Sequence, residues 1–214
     1  MARNKKMTVS PYMGGVRKSS NTQPRMEKTG IDSAKVSGNC LGTIITSSTA
    51  GNYADVGQRL YSPGNAGNLD GSSVQRVAAW YSCGKFLPGC KIRWEPNVGA
   101  NSNGRIYCAF VDNPEVMLDI INETNQTTKQ TKIRGLSGLK SFPVWQETEI
   151  PFPTRTRHKL FSSNQALADN YSDYDRSVQT CFFYFASGVE NESQLGGFWY
   201  HDVMSVEGLH NNAT

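Results

Sequence analysis

Residues 178–187 read Val-Gln-Thr-Cys-Phe-Phe-Tyr-Phe-Ala-Ser, and residues 197–207 read Gly-Phe-Trp-Tyr-His-Asp-Val-Met-Ser-Val-Glu. In both runs apolar and aromatic side chains occupy neighbouring positions rather than alternating with polar ones. A strand turns successive side chains to opposite faces, so neither run can leave one face to water. Both are predicted to be central strands packed on both faces, and they set the fold class as all-β.

Working outward, short β-rich runs separated by turn residues recur from residue 36 onward. Gly38 to Ser48 and Val56 to Tyr61 are the first two, the second closed by Ser62-Pro63-Gly64-Asn65. Lys91 to Glu95 alternates apolar and charged residues as a half-buried strand does, and Asn101 to Gly104 is a turn before Arg105 to Val111. Residues 91–111 therefore read as a hairpin. Val144 to Phe152, bracketed by Pro143 and Pro151, and Thr156 to Phe161 are two further candidates. One helix is predicted over Ser72 to Tyr81, where Val74, Val77 and Tyr81 recur at helical spacing behind Ser72 or Ser73 as caps. Residues 113–140 read as irregular, polar from Asn122 to Lys132, with a turn of helix near Glu115 to Ile121. The count is eight strands, that of a single jelly-roll sandwich with one short helix between strands 2 and 3. Periodicity alone leaves another sandwich topology open.

Composition agrees with one turn-rich globular domain. The 214 residues are 37% hydrophobic and 19% charged, with 20 Gly and 9 Pro, and no window approaches a membrane span. Charge is divided unevenly. Residues 1–35 hold Arg3, Lys5, Lys6, Arg17, Lys18, Arg25, Lys28 and Lys35 against Glu27 and Asp32, a balance of +6 within a total of +4. The remainder is mildly acidic. Residues 1–35 are rich in Ser, Thr, Asn, Gly and Pro and show no helical or strand period, so they read as a basic, flexible N-terminal arm, with the domain proper over residues 36–214. A cationic arm on a mildly acidic body suits a polyanion, above all when many copies face one cavity.

The chemistry-bearing residues argue against an enzyme. Five Cys (40, 83, 90, 108 and 181) and three His (158, 201 and 210) show no Cys-x-x-Cys and no zinc-ligand spacing. The opening Met1-Ala-Arg-Asn-Lys-Lys has no apolar run behind it, so it does not read as a secretory signal. Buried free thiols in a reducing compartment are the expectation, with the sequons at Asn122, Asn125, Asn191 and Asn212 unused. There is no Gly-x-Ser-x-Gly, and Gly84-Lys85 lacks the upstream Gly of a phosphate loop. Asp169, Asp173 and Asp175 read as loop acids, and His201-Asp202 has no placed nucleophile.

Several stretches together resemble the shell domain of tombusvirus-like and sobemovirus-like capsid proteins. They are Ser62-Pro63-Gly64-Asn65 ahead of a short helix, Lys85-Phe86-Leu87-Pro88-Gly89-Cys90-Lys91-Ile92-Arg93-Trp94-Glu95-Pro96, the turn Asn103-Gly104-Arg105, and Ile106 to Phe110 followed by Val111-Asp112-Asn113-Pro114-Glu115. Phe142-Pro143-Val144-Trp145 and Gly197 to Val203 are similar to the later strands of that family. The resemblance covers residues 38–208. It implies a jelly-roll subunit that self-assembles into an icosahedral shell, with its arm turned inward on a single-stranded genome, RNA or DNA. On that reading Arg3, Lys5, Lys6, Arg17, Lys18, Arg25 and Lys28 are phosphate contacts, which position without reading sequence. Arg155, Arg157, His158 and Lys159 are a second basic cluster, able to line the inner surface or to face solvent, while Tyr12 and Tyr53 are single aromatics able to stack on bases. The resemblance also places Asp112 and Glu115 where calcium binds between subunits. Its implied partners are further copies of the chain and the viral nucleic acid, with no membrane, and its location is the virion. The arm is shorter and poorer in Arg than is usual in the family, and the chain stops soon after the last strand, which fits a compact shell of the satellite-virus kind or a single-stranded DNA virus that carries the same capsid type, with T=1 the expected shell. The rival is a jelly-roll carbohydrate-binding module using Trp145 or Trp199, for which a +6 arm has no use.

Overall fold

A computed structural model describes residues 25–49, 51–62, 81–153, 159–160 and 171–209. Among them, eleven strands and three helices follow in chain order. The strands β1 (Arg25–Lys28), β2 (Ser33–Thr46), β3 (Tyr53–Tyr61), β4 (Tyr81–Phe86), β5 (Lys91–Pro96) and β6 (Arg105–Val111) come first. Helices α1 (Pro114–Ile121) and α2 (Gln126–Arg134) follow, then β7 (Lys140–Pro143), β8 (Thr148–Pro151), β9 (Lys159–Leu160), helix α3 (Tyr171–Ser177), β10 (Thr180–Ser187) and β11 (Gln194–Leu209).

The strands form two antiparallel sheets in a jelly-roll sandwich. One has the order β3-β10-β6-β7. The other runs β1-β2-β11, and β11 then pairs β4 over Met204–Leu209 and β5 over Gly196–His201, with β9 beside β4 and β8 beside β5. The two runs predicted to be central strands are β10 and the core of β11, each flanked on both sides. Alternate residues of β10 serve two cores. Phe182, Tyr184 and Ala186 point between the sheets, while Cys181, Phe183 and Phe185 point the other way, under the helices. Phe182 meets Phe198 of β11 edge to face at 5.3 Å, which ties the sheets at mid-core. Trp94, fully buried, donates its indole N–H to the Val144 carbonyl at 2.8 Å. A buried aromatic of this kind contributes about 1.5–3 kcal/mol over its exposed state.

Residues 91–111 are not a hairpin. β5 lies in the β11 sheet and β6 beside β10, and residues 97–104 cross between the layers. Hydrogen bonds from Asn97 N–H to the Leu195 carbonyl and from Val144 N–H to the Gly104 carbonyl hold the two ends of that crossing. The Gly turn supplies a reversal, but both strands already have partners in separate sheets. Residues 144–152 likewise divide: Pro143 ends β7, Gln146 N–H closes a turn on the Pro143 carbonyl, and β8 ends at Pro151. The polar stretch read as irregular contains α2, and the turn foreseen near Glu115 is the full helix α1. Tyr81 opens β4 instead of closing a helix, and residues 63–80, including the rest of that predicted helix, lie outside the described residues. So does the strand candidate at 156–161 apart from β9. Strands β1, β4 and β7 were not anticipated. Residues 25–35, read above as part of the arm, hold β1, a turn and the start of β2.

Candidate capsid-assembly and nucleic-acid surfaces

Of the predicted phosphate contacts, Arg3, Lys5, Lys6, Arg17 and Lys18 lie outside the described residues, as do Tyr12, Arg155, Arg157 and His158. Arg25 and Lys28 stand on β1, all four residues of which are exposed. Arg25 is held by Glu27 at 3.1 Å, whereas Lys28 and Lys35 make no ion pair among the described residues. Lys159 opens β9, and Tyr53, half-buried, opens β3.

Asp112 and Glu115 are both exposed, between β6 and the first turn of α1. Asn113, between them, caps that helix: its side-chain oxygen accepts from Glu115 N–H at 2.8 Å and Val116 N–H at 3.4 Å. The carboxylate of Glu115 sits at the positive end of the helix. Among the described residues no three His, Cys, Asp or Glu side chains converge on one point. Calcium takes roughly six to eight oxygens, more than the two carboxylates of Asp112 and Glu115 supply.

The acids and His weighed for catalysis fall only partly within the described residues. Asp175 is exposed on α3, whose span also includes Asp173, and Asp169 lies outside the described residues. His201 and Asp202 point to opposite faces of β11. His201 meets the Asn39 side chain across the pairing with β2, and Asp202 is buried between the sheets.

There Asp202 forms an ion pair with Arg59 of β3, also buried, and this cross-sheet pair is the polar centre that sequence reasoning missed. The Arg59 guanidinium lies 3.8 Å from the Tyr200 ring centre and 5.1 Å from that of Tyr61, and donates to Cys40 Sγ at 3.4 Å. Burial pushes the Asp202 carboxyl above the ordinary carboxylate range, and the charge of Arg59 opposes that push. Arg59 Nε and Asp202 Oδ1 find no hydrogen-bond partner among the described residues. None of the five Cys forms a disulfide among the described residues; Cys90, Cys108 and Cys181 are buried, and Cys40 and Cys83 half-buried.

The outer face of the β11 sheet carries a shallow cleft of about 250 Å³, lined by Ile44, Glu95, Pro96, Asn97, Gln194 and Trp199, with Gly196 and Gly197 at its base. Gly196 has φ +151°, and a Cβ there would run into the Glu95 carbonyl and the Trp94 ring. Ile44 is 47% exposed, Trp145 39%, and Ile31, at the β1–β2 turn, 93%. Among the described residues no helix is long and apolar enough to cross a membrane.

No family model matches the sequence, and neither does any curated protein. Solved structures do. A chain of Cucumber Necrosis Virus superposes with TM-score 0.68 at 12% identity, over 100% of this chain and 63% of that one. A chain of Tobacco Necrosis Virus gives 0.68 at 13% identity over 89% of each, and one of Mud crab tombus-like virus 0.65 at 12% over 90% and 96%. This chain thus spans less than two thirds of the Cucumber Necrosis Virus chain. At such identities the likeness is one of fold: the chain has the jelly-roll fold of tombusvirus-type capsid shell domains.

Proposed function

We propose that the chain is a structural subunit of a virion, which self-assembles into an icosahedral shell and holds a single-stranded genome through the basic residues of its first 35 positions. The observation that carries this reading is the superposition on the Tobacco Necrosis Virus chain over 89% of both chains, with no large part of either left over. The charge division supports it: the arm is cationic and the body is not. Copies of such an arm neutralise phosphates and release counterions, which lowers the repulsion within a packaged genome. The two-sheet sandwich, pinned by its aromatic core and the Arg59–Asp202 pair, is the rigid tile. On this reading Asp112 and Glu115 are this chain's share of a calcium site at the contact between neighbours, where bound calcium would relieve the repulsion of facing carboxylates.

Negative-stain electron microscopy of the full-length protein tests the proposal. Uniform closed spheres are expected. Only monomers or small oligomers, across a range of salt and with calcium and single-stranded nucleic acid supplied, would overturn it.

A further inference from the structure

The two ends of β2 carry complementary features that cannot meet within one molecule. At one end the β1–β2 turn presents Ile31, 93% exposed, on a well-braced tip. Thr29 N–H and Gly30 N–H both donate to the Ser33 carbonyl at 3.1 and 3.3 Å, and Thr29 Oγ1 meets Ser33 Oγ at 3.0 Å. Gly208 N–H donates to the Asp32 carbonyl at 2.9 Å and ties the turn to β11. A large apolar side chain held out by a fixed turn loses little freedom on docking, so its burial is retained as binding free energy. At the other end lies the cleft, with Ile44 and Trp199 as apolar walls and Pro96 beside them. Its volume of about 250 Å³ takes a branched aliphatic side chain.

Charge follows the same division. Lys28 and Lys35 flank the tip, exposed and without ion pairs among the described residues, and outweigh the exposed Asp32 on the turn itself. Glu190 and Glu192, exposed and likewise unpaired there, stand on the turn just ahead of Gln194, a residue of the cleft. Their turn is fastened to the end of β2 by Ser47 Oγ donating to the Glu190 carbonyl and Glu192 N–H donating to the Ser48 carbonyl. From Ser33 to Ile44 the strand covers roughly 36 Å at about 3.3 Å per residue, so the tip cannot fold back on its own cleft.

We propose that Ile31 of one copy seats in the Ile44–Trp199 cleft of a second copy, with Lys28 and Lys35 meeting Glu190 and Glu192. Two different patches engage, so the contact is head-to-tail and every copy offers one knob and one socket. Repetition then generates a closed ring where the rotation permits and a chain of copies where it does not. One side chain buries too little area to hold a lone dimer, so the contact gains its strength from repetition in an assembly. The proposal deepens the capsid reading and rests on it, by naming one surface through which copies meet.

Paired cysteines test it. The full chain carrying both Ile31→Cys and Ile44→Cys is oxidised under assembly conditions and run on a non-reducing gel, with each single variant as control for the native thiols. A ladder of disulfide-linked multimers from the double variant alone is the expected result. Closed particles without a ladder above the single-variant level overturn the contact and leave the capsid reading standing. A ladder without particles supports the contact and overturns the shell; neither ladder nor particles overturns both. As a second measurement, Ile31→Asp, at a position exposed in the subunit, should keep the wild-type circular dichroism and raise the protein concentration needed for assembly at least tenfold. An unchanged assembly threshold rejects the knob.

Discussion

At the scale of single residues, Arg59 and Asp202 are the most consequential pair in the molecule. Each is buried, each leaves one polar atom without a partner among the described residues, and together they bridge β3 to β11 across the sandwich. Removing one partner leaves an unpaired charge in the core, which costs about 3–5 kcal/mol, whereas an apolar replacement of both is close to neutral. Arg59→Met and Asp202→Leu are therefore each expected to lower the urea midpoint sharply, and the double substitution to recover most of it; additive losses would show that the two charges are not coupled. The buried thiols give a second expectation. Burial pushes Cys90 and Cys108 up to about 12, and holds Cys181 well above the ordinary thiol value. Thiolate is then scarce at pH 8, so iodoacetamide should spare these three in the folded protein and modify them in urea, as read by mass spectrometry of peptides. The burial of Cys108 and Cys181 was legible because both sit in apolar strand runs, but the same reading expected Cys40 to be buried and it is half-buried. The ion pair was not: its members lie 143 residues apart, and only strand alternation, applied to His201 and Asp202, would have turned Asp202 inward.

At the scale of elements, α2 shows what a hydrophobic period cannot detect. Ile133 is its only fully buried residue, so no apolar stripe marks it. The helix is specified at its ends, where Asn125 accepts from Thr128 N–H at 3.1 Å and Gly135 N–H closes on the last turn. Those cap residues stand in the sequence, and reading them as caps would have located the helix. Just ahead, Glu123 accepts from Asn125 N–H at 3.0 Å and pairs with Lys132 at 3.2 Å. These contacts, the backbone hydrogen bond first, hold its carboxyl below the ordinary value of 4.5. The ionised form is thus favoured in the folded state. Its contribution is present above about pH 4.5 and is lost as pH falls through the lower folded value. The Asn125 amide proton should show a titration step below pH 4.5 that Glu123→Gln abolishes; an identical step in that variant would assign it to another group. The misread hairpin has a different cause. Local sequence shows where the chain turns, but the choice of sheet for each arm was made by β10 and β11, far along the chain.

At the scale of the whole molecule, a two-sheet β class was legible from turn spacing, because two-sheet burial imposes that rhythm on the chain, whereas the jelly roll within that class rested on the family resemblance, since eight strands were read where eleven stand among the described residues. How basic charge is partitioned between body and arm needed the structure. With β1 and β2 starting at residues 25 and 33, a truncation that respects the fold removes residues 1–24 only. That segment contains Arg3, Lys5, Lys6, Arg17 and Lys18 and no acid, so its loss takes the chain from +4 to −1 while both strands remain. The truncated protein should retain its circular dichroism and yield particles with a much lower 260/280 nm absorbance ratio. Each phosphate contact with a single strand contributes about 0.7 to the slope of log affinity against log salt. Loss of the five charges should therefore flatten that slope by up to roughly 3.5, measured by fluorescence anisotropy of a labelled single-stranded oligonucleotide. A slope and nucleic-acid content equal to those of the full chain would place the genome contacts on the body and reject the role of residues 1–24.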